Sequence, residues 1–340
     1  MSSKSSSLLF YIITRILLII PMLFILLTLI FIVLRVLPGD PVYFIVSPQA
    51  GEDIIQQTRH ELGLDKPLWE QYVSYLAGVL RGDLGKSYIT KDNVWAIIWR
   101  HLPITIELAT CGMIIAALLG ISLGAFAAYK SKSWFSIFNT VLSTVSYTMP
   151  VFWFGMILQI LLAVQFPILP ATGILDTSLS ITRITGLPVL DALITGNMRA
   201  FVDHALHLIL PSITLGFFIS GNINRMTYSN VLRALNEDYV RAARARGIEE
   251  KVVLFKYALK NSLIPVITLL GMNFARMLSG SVLTETVFSI PGMGTLLINS
   301  IFRRDYPLVQ GIIVVYALLI SVVTLIIDII YAYIDPRIRL

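Results

Sequence analysis

Ser122 sits in the pentapeptide GISLG, residues 120–124, with the glycine spacing of a nucleophile elbow. In that motif a serine hydroxyl is presented for attack on an acyl carbon, and the presentation needs a strand, a sharp turn and a helix. Here the pentapeptide lies inside an unbroken apolar run, where Gly120 and Gly124 give a small face for close helix packing instead. Gly85, Lys86 and Ser87 have the ending of a phosphate-binding loop, but Leu80 stands where its first glycine belongs, so no ATP site is read in this chain. His204 and His207, three apart, could offer two imidazoles from one helix face. A metal site needs further ligands, none lies near in sequence, and an interfacial polar pair is the better reading. The single cysteine, Cys111, excludes an internal disulfide framework and argues against a cysteine metal site. The sequence therefore gives no catalytic set and no metal ligands.

Two polar residues remain where polarity is expensive. Arg276 and Asn273, three apart, fall within an apolar run over 261–286, and Asp328 falls within another. Charges at such depth face a bundle interior or a water-filled path and mark function by default. Asn273 and Arg276 are read as lining a path through the bundle. The alternative is a structural ion pair with Asp328, whose depth differs.

The elements that must position these residues are membrane helices. The chain has 340 residues, of which 56% are hydrophobic and 14% charged. Its mean hydropathy is +0.80, and a soluble domain carries about 25% charged residues. Residues 16–34 hold no charge, exceed a signal peptide's apolar region and are not followed by a small-residue cleavage site, so they read as a retained first span. Five more runs, near 105–129, 135–165, 205–227, 261–286 and 309–334, reach the roughly 20 residues that cross a bilayer. The expectation is an all-α integral membrane protein with six transmembrane helices. Its parts are an N-terminal tail 1–8, a first helix 9–37, an outer loop 38–104, a five-helix core 105–334 and a tail 335–340.

Charge orients the bundle. Lys4, Lys130 and Lys132, the loop 228–260 with Arg233, Arg241, Arg244, Arg246, Lys251, Lys256 and Lys260, and the tail with Arg337 and Arg339 carry the excess. By the positive-inside rule both termini and the 228–260 loop face the cytoplasm. The net charge of +6 follows from this asymmetry and says nothing of nucleic acid. Loops 38–104 and 166–204 then lie outside. In the first, Leu68, Trp69, Tyr72, Tyr75, Leu76 and Val79 recur at helical spacing and predict a short amphipathic helix. In the second, Pro167, Pro170, Gly173, Gly186 and Pro188 predict irregular backbone. Loops of such length in a compact protein are usually functional or disordered. Their aromatic residues favour order and an outside partner.

The most informative stretch is NEDYVRAARARGIEEKVVLFKYALKNSLIP, residues 236–265. Asn236 is expected to cap a helix of about ten residues that stops at Gly247. Ala242, Ala243 and Ala245 leave that helix thin on one side, and Arg241 and Arg244 share another. Positive-inside sorting explains the arginines but not the alanines. A thin face flanked by guanidinium groups suits insertion into a groove on a soluble partner.

The sequence resembles binding-protein-dependent ABC importer permeases of the dipeptide/oligopeptide/nickel branch, first-permease type. RAARARG followed eighteen residues later by Pro265 is similar to that family's cytoplasmic coupling loop. LPGDPV, ELGLDKPLWEQY, GDLGKS, MPVFW, NRMTYSNVL, LTETVFSIPGMG, RRDYPLVQG and the terminal DPRIR look like the same branch in the same order. Arg241 replaces the general family's glutamate, as this branch usually has it, and Tyr257 stands where many relatives have histidine. The resemblance implies a type I importer permease fold and a subunit that is not itself an enzyme and holds no cofactor. ATP and Mg would be bound by two partner ATP-binding cassette subunits. These would drive the spans through the short helix, with Tyr239, Arg241, Ala242, Ala243, Arg244, Ala245 and Gly247 in the coupling surface. A second homologous permease would complete the pathway, and an extracytoplasmic binding protein would deliver substrate. Di- and oligopeptides are the cargo it implies, with oligosaccharides or nickel complexes as alternatives. The place would be the plasma membrane of a bacterium or archaeon. An ion-driven secondary transporter is the competing class, and it would be expected to show acidic relays or repeated broken helices. Only Asp328 is an interior acid by this reading, and no repeat is visible.

Overall fold

The computed structural model describes residues 2–36, 39–46 and 51–334. The expected tail 335–340, with DPRIR, and the start of LPGDPV lie outside them. The described residues are mostly helical and hold no strand. Leu, Ile, Val and Ala dominate the long helices. In a bilayer the intrahelical ladder is what satisfies backbone polar groups without water.

Apart from a single turn at Val42–Ile45, the first helices are α1 (Ser2–Val36), α2 (Glu52–Glu61), α3 (Leu68–Leu80), α4 (Val94–Tyr129), α5 (Trp134–Thr148) and α6 (Val151–Gln159). After them come α7 (Pro188–Ile194), α8 (Met198–Leu235), α9 (Asp238–Ala245), α10 (Glu250–Gly280), α11 (Val282–Val287), α12 (Met293–Phe302) and α13 (Tyr306–Ile334). Among the described residues five helices are long and apolar enough to cross a membrane, or six if α5 and the segment Val151–Gln165 count as one span.

Several boundaries differ from those expected. Helix α1 already covers most of the expected tail 1–8. Helix α4 starts eleven residues before 105, and α8 begins at Met198 and ends at Leu235, well beyond 205–227 on both sides. Hydropathy sees only the apolar middle of a helix, whereas the helix itself continues into polar turns. The run 135–165 is not straight: α5 and the segment from Val151 meet at 102°. Pro150 has no N–H to continue the ladder and holds Met149 extended, at φ −71° and ψ 133°. The run 261–286 likewise stops at Gly280 and resumes as α11.

The chain divides into two compact units. One comprises, of the described residues, 2–36, 39–46, 51–103 and 292–322. Within it α3 lies along α1 as its aromatic spacing predicts: Tyr72 Oη is 2.5 Å from Thr28 Oγ1, and the Phe31 ring meets Tyr72 edge-on and stacks on Tyr75. Ser87 of the phosphate-loop look-alike is buried and donates to Asp305, which also accepts the Tyr88 N–H at 2.9 Å. Its hydroxyl is committed to holding this turn.

The other unit comprises 104–291 and 323–334 of the described residues, with α8 against α5, α6, α7 and α10. Small residues set how closely the helices approach. A Cβ on Gly120 would lie 2.7 Å from Ile223, one on Gly124 2.6 Å from the Asn224 carbonyl oxygen, and one on Gly221 2.1 Å from Ser146 Oγ. GISLG is thus a packing motif on α4. Asn139 and Asn224 exchange amide hydrogen bonds of 2.8 Å each across α5 and α8, which satisfies both buried side chains.

Candidate functional site

The turn after α8 is built by local bonds. Asn236 does not cap the next helix as the sequence suggested. Its backbone is right-handed helical, at φ −97° and ψ −3°, and its amide donates to the Leu232 carbonyl at 2.9 Å, closing α8. Glu237, in extended conformation, takes the N-cap position of α9, and Asp238 occupies the first turn, where the helix dipole favours a carboxylate. Gly247 ends the segment at φ +74°, a left-handed conformation that a side chain disfavours, and donates to the Arg244 carbonyl at 2.9 Å.

The two faces of α9 have different jobs. Val240 and Ala243 are buried in a cluster with Ala125 and Ala128 of α4, Val231 and Ala234 of α8, and Val253, Leu254 and Ala258 of α10. This corrects the expectation for Ala243: it is small because α9 lies close on its own unit, and it does not face outward. Tyr239, Arg241, Ala242, Arg244, Ala245 and Gly247 are exposed. Arg241 reaches Asp238 at 3.4 Å, while Arg244 binds Glu250 through two nitrogens, at 2.8 and 3.3 Å. The outward surface thus presents one aromatic, two alanines and a glycine among guanidinium groups.

Arg276 and Asn273 are brought to one cavity of about 420 Å³ in this unit. Asn273 is buried and its Nδ2 has no hydrogen-bond partner. Sequence reasoning missed Asn222 and Arg225 of α8, which line the same cavity. Their spacing of three, matching that of Asn273 and Arg276, was the available signal. The Arg225 guanidinium lies 5.4 Å from the centre of the Tyr147 ring. No carboxylate is among the described residues lining the cavity, Asp328 included.

His204 and His207 do not form a pair. Fully buried His204 stands between the Ile174 carbonyl, 2.6 Å from Nδ1, and Glu107 Oε2, 3.0 Å from Nε2. His207 turns to Asp203 of its own helix. Glu107 was missed as well, although a lone acid in the apolar run of α4 is a visible signal. Its Oε1 accepts the Val189 N–H at 3.0 Å, so one carboxylate and one imidazole tie the long connection after α6 to α4 and α8. Within that connection Asp191 is buried, which works against its charge. Hydrogen bonds from the Thr185 hydroxyl and backbone and from the Gly186 N–H outweigh this and hold its carboxyl below the usual range.

Residues 120–340 match the family described as binding-protein-dependent transport system inner membrane component, and residues 8–109 match its N-terminal part. The chain is 41% identical to the di/tripeptide transport system permease protein DppB of Pseudomonas aeruginosa, over 97% of this chain and 98% of that protein. It is also 41% identical to the dipeptide transport system permease protein DppB of Escherichia coli K12, over 90% and 91%. The protein with that name from Alkalihalophilus pseudofirmus is 39% identical over 97% and 99%.

Proposed function

The chain belongs to the family of binding-protein-dependent transport system inner membrane components, and from that premise we propose that it is one permease subunit of an ATP-driven importer of di- and oligopeptides. Similarity to dipeptide permeases over nearly the whole chain is the observation that carries this reading. ATP hydrolysis belongs to two partner cassette subunits. They dock on the outward face of α9, where Ala242, Ala245 and Gly247 leave room, Tyr239 offers a ring and Arg241 supplies charge. A second permease closes the pathway that Asn273 and Arg276 line, and a binding protein meets the connections 38–104 and 166–204. Both termini and the turn 236–249 face the cytoplasm, as the lysine and arginine distribution supports.

The test is uptake of radiolabelled dipeptides by cells carrying the whole system, with and without this subunit. Uptake that needs this chain, together with ATP hydrolysis that needs the partner cassettes, is the expected result. If removing the chain leaves peptide uptake intact but abolishes uptake of a sugar or a nickel complex, the peptide assignment fails while the importer assignment stands.

A further inference from the structure

In the unit formed by residues 2–36, 39–46, 51–103 and 292–322, a cavity of about 910 Å³ opens beside α3. Its floor is built of side chains already fixed by their neighbours. The Arg35 guanidinium lies 4.5 Å from the Phe31 ring centre and 4.8 Å from that of Tyr306, and donates to Gln71 Oε1 through Nε and Nη2. Tyr75 stacks on the same Phe31 ring. Gln310, one turn along α13 from Tyr306, is 5% exposed. Three polar atoms are left over in this ordered floor. Arg35 Nη1, Tyr75 Oη and Gln310 Nε2 are all buried, and none has a hydrogen-bond partner. Orphaned buried donors are uncommon and call for an explanation. All three can donate, one carries a full charge, and burial raises the Tyr75 hydroxyl so that it keeps its proton. Such a set fits one anionic group rich in acceptor oxygens. The rim carries three carboxylates, Glu61, Glu70 and Asp83, with Lys66 and His60, so any pull on an anion comes from the floor alone.

Position selects the source of the anion. Arg35 ends the apolar run Leu17–Val36, and Tyr306 begins another long apolar helix, so the floor lies at the ends of two candidate spans. Above it α3 leaves Leu68, Trp69 and Val73 exposed at 60, 66 and 56%. Trp69 and Val73 also line the cavity. An amphipathic helix with such a flank lies in the headgroup plane of a bilayer, where tryptophan and tyrosine concentrate. We propose that this cavity binds a membrane phospholipid. Its phosphate oxygens accept from Arg35, Gln310 and Tyr75, and its acyl chains lie against the exposed apolar side of α3 and α1. The site is independent of the transport reading.

Native mass spectrometry of the full chain, purified in mild detergent with phosphatidylethanolamine and phosphatidylglycerol, tests this. The wild type should keep one phospholipid under conditions that strip the rest. Q310L and Y75F each remove one donor and leave the ring stack intact; they should lower that occupancy at least five-fold while the protein remains monodisperse. R35M should abolish it, and 10 mM inorganic phosphate should not displace the lipid. Equal retention by wild type and variants, or no retained lipid at all, overturns the proposal. Displacement by inorganic phosphate identifies a small-anion site and overturns the lipid assignment.

Discussion

Arg244 and Glu250 are joined by two hydrogen bonds across the turn at Gly247, so the last turn of α9 is tied to the first residue of α10. Both side chains are more than one-third exposed. The pair is therefore worth only about 0.2–1 kcal/mol to stability. Its value is geometric, since it fixes the angle at which α9 leaves the helix behind it. R244Q and E250Q should leave membrane levels unchanged and lower peptide uptake a few-fold each. The double variant should be no worse than either alone, and the exchanged pair R244E/E250R should recover part of the loss. Strictly additive losses would show that the two residues act separately.

The opposite faces of α9 call for two tryptophan substitutions with different outcomes. Ala243 is 1% exposed, so Ala243→Trp must overpack its cluster, a cost of at least about 1–3 kcal/mol. It should lower the amount of folded protein. Ala242 is exposed, and Ala242→Trp should leave that amount unchanged while reducing uptake more than ten-fold if a cassette subunit docks there. Immunoblotting beside uptake separates the two. Normal transport by Ala242→Trp removes this face from the docking surface.

Arg276 shares its cavity with Arg225 and, among the described residues, with no carboxylate. Arg276→Gln should preserve membrane level and lower uptake most for acidic and short peptides, which expose the most negative charge per length. Arg276→Lys should lose less because it keeps the charge, though not the planar fork. Uptake per assembled complex across peptides of different charge is the measurement. A uniform loss across all peptides would take Arg276 out of substrate selection.

Removing His204 strands the buried Glu107 carboxylate with the Val189 N–H as its one remaining bond of those described. Breaking a buried pair from one side costs about 3–5 kcal/mol. His204→Ala should therefore lower the melting temperature clearly and speed proteolysis within 173–190. Glu107→Gln keeps shape and hydrogen bonding and should do much less. Indistinguishable proteolysis of the two variants would mean that the pair does not hold the connection.

Asp191 gives a pH prediction with a definite sign. Its folded-state carboxyl lies below its ordinary value of 3.8, so its contribution is present above that value and is lost as pH falls through the lower folded one. Protection of the 185–191 turn against amide exchange should be flat from neutral to mildly acidic pH and drop only in strong acid. In Asp191→Asn the acid-dependent part should vanish.

The sequence made the long helices legible because twenty consecutive apolar residues have few other fates. It also made α3 legible, since Tyr72 and Tyr75 recur at helical spacing and land on α1. Directions were harder to read. Whether Ala243 points in or out depends on where Val253 and Ala258 return to meet it, and no local pattern encodes that. Arg225 escaped notice because it joins Arg276 only through the register of α8 against α10. The cap moved from Asn236 to Glu237 because two polar residues competed for one position and the end of α8 took the first. The floor around Arg35 was invisible for the same reason, its parts coming from α1, α3 and α13.

Helix α8 is 38 residues long. At 1.5 Å per residue it spans about 57 Å, more than a bilayer's hydrocarbon core. Near one end His204 grips the connection at Ile174, and at the other the chain turns into α9. If it moves as a single rod, a tilt of about 10° around its midpoint displaces each tip by roughly 5 Å in opposite senses, by that same rise per residue. A pull on the short helix then arrives at the Ile174 connection as a push of equal size. For a given tilt, the throw of such a lever scales with its length.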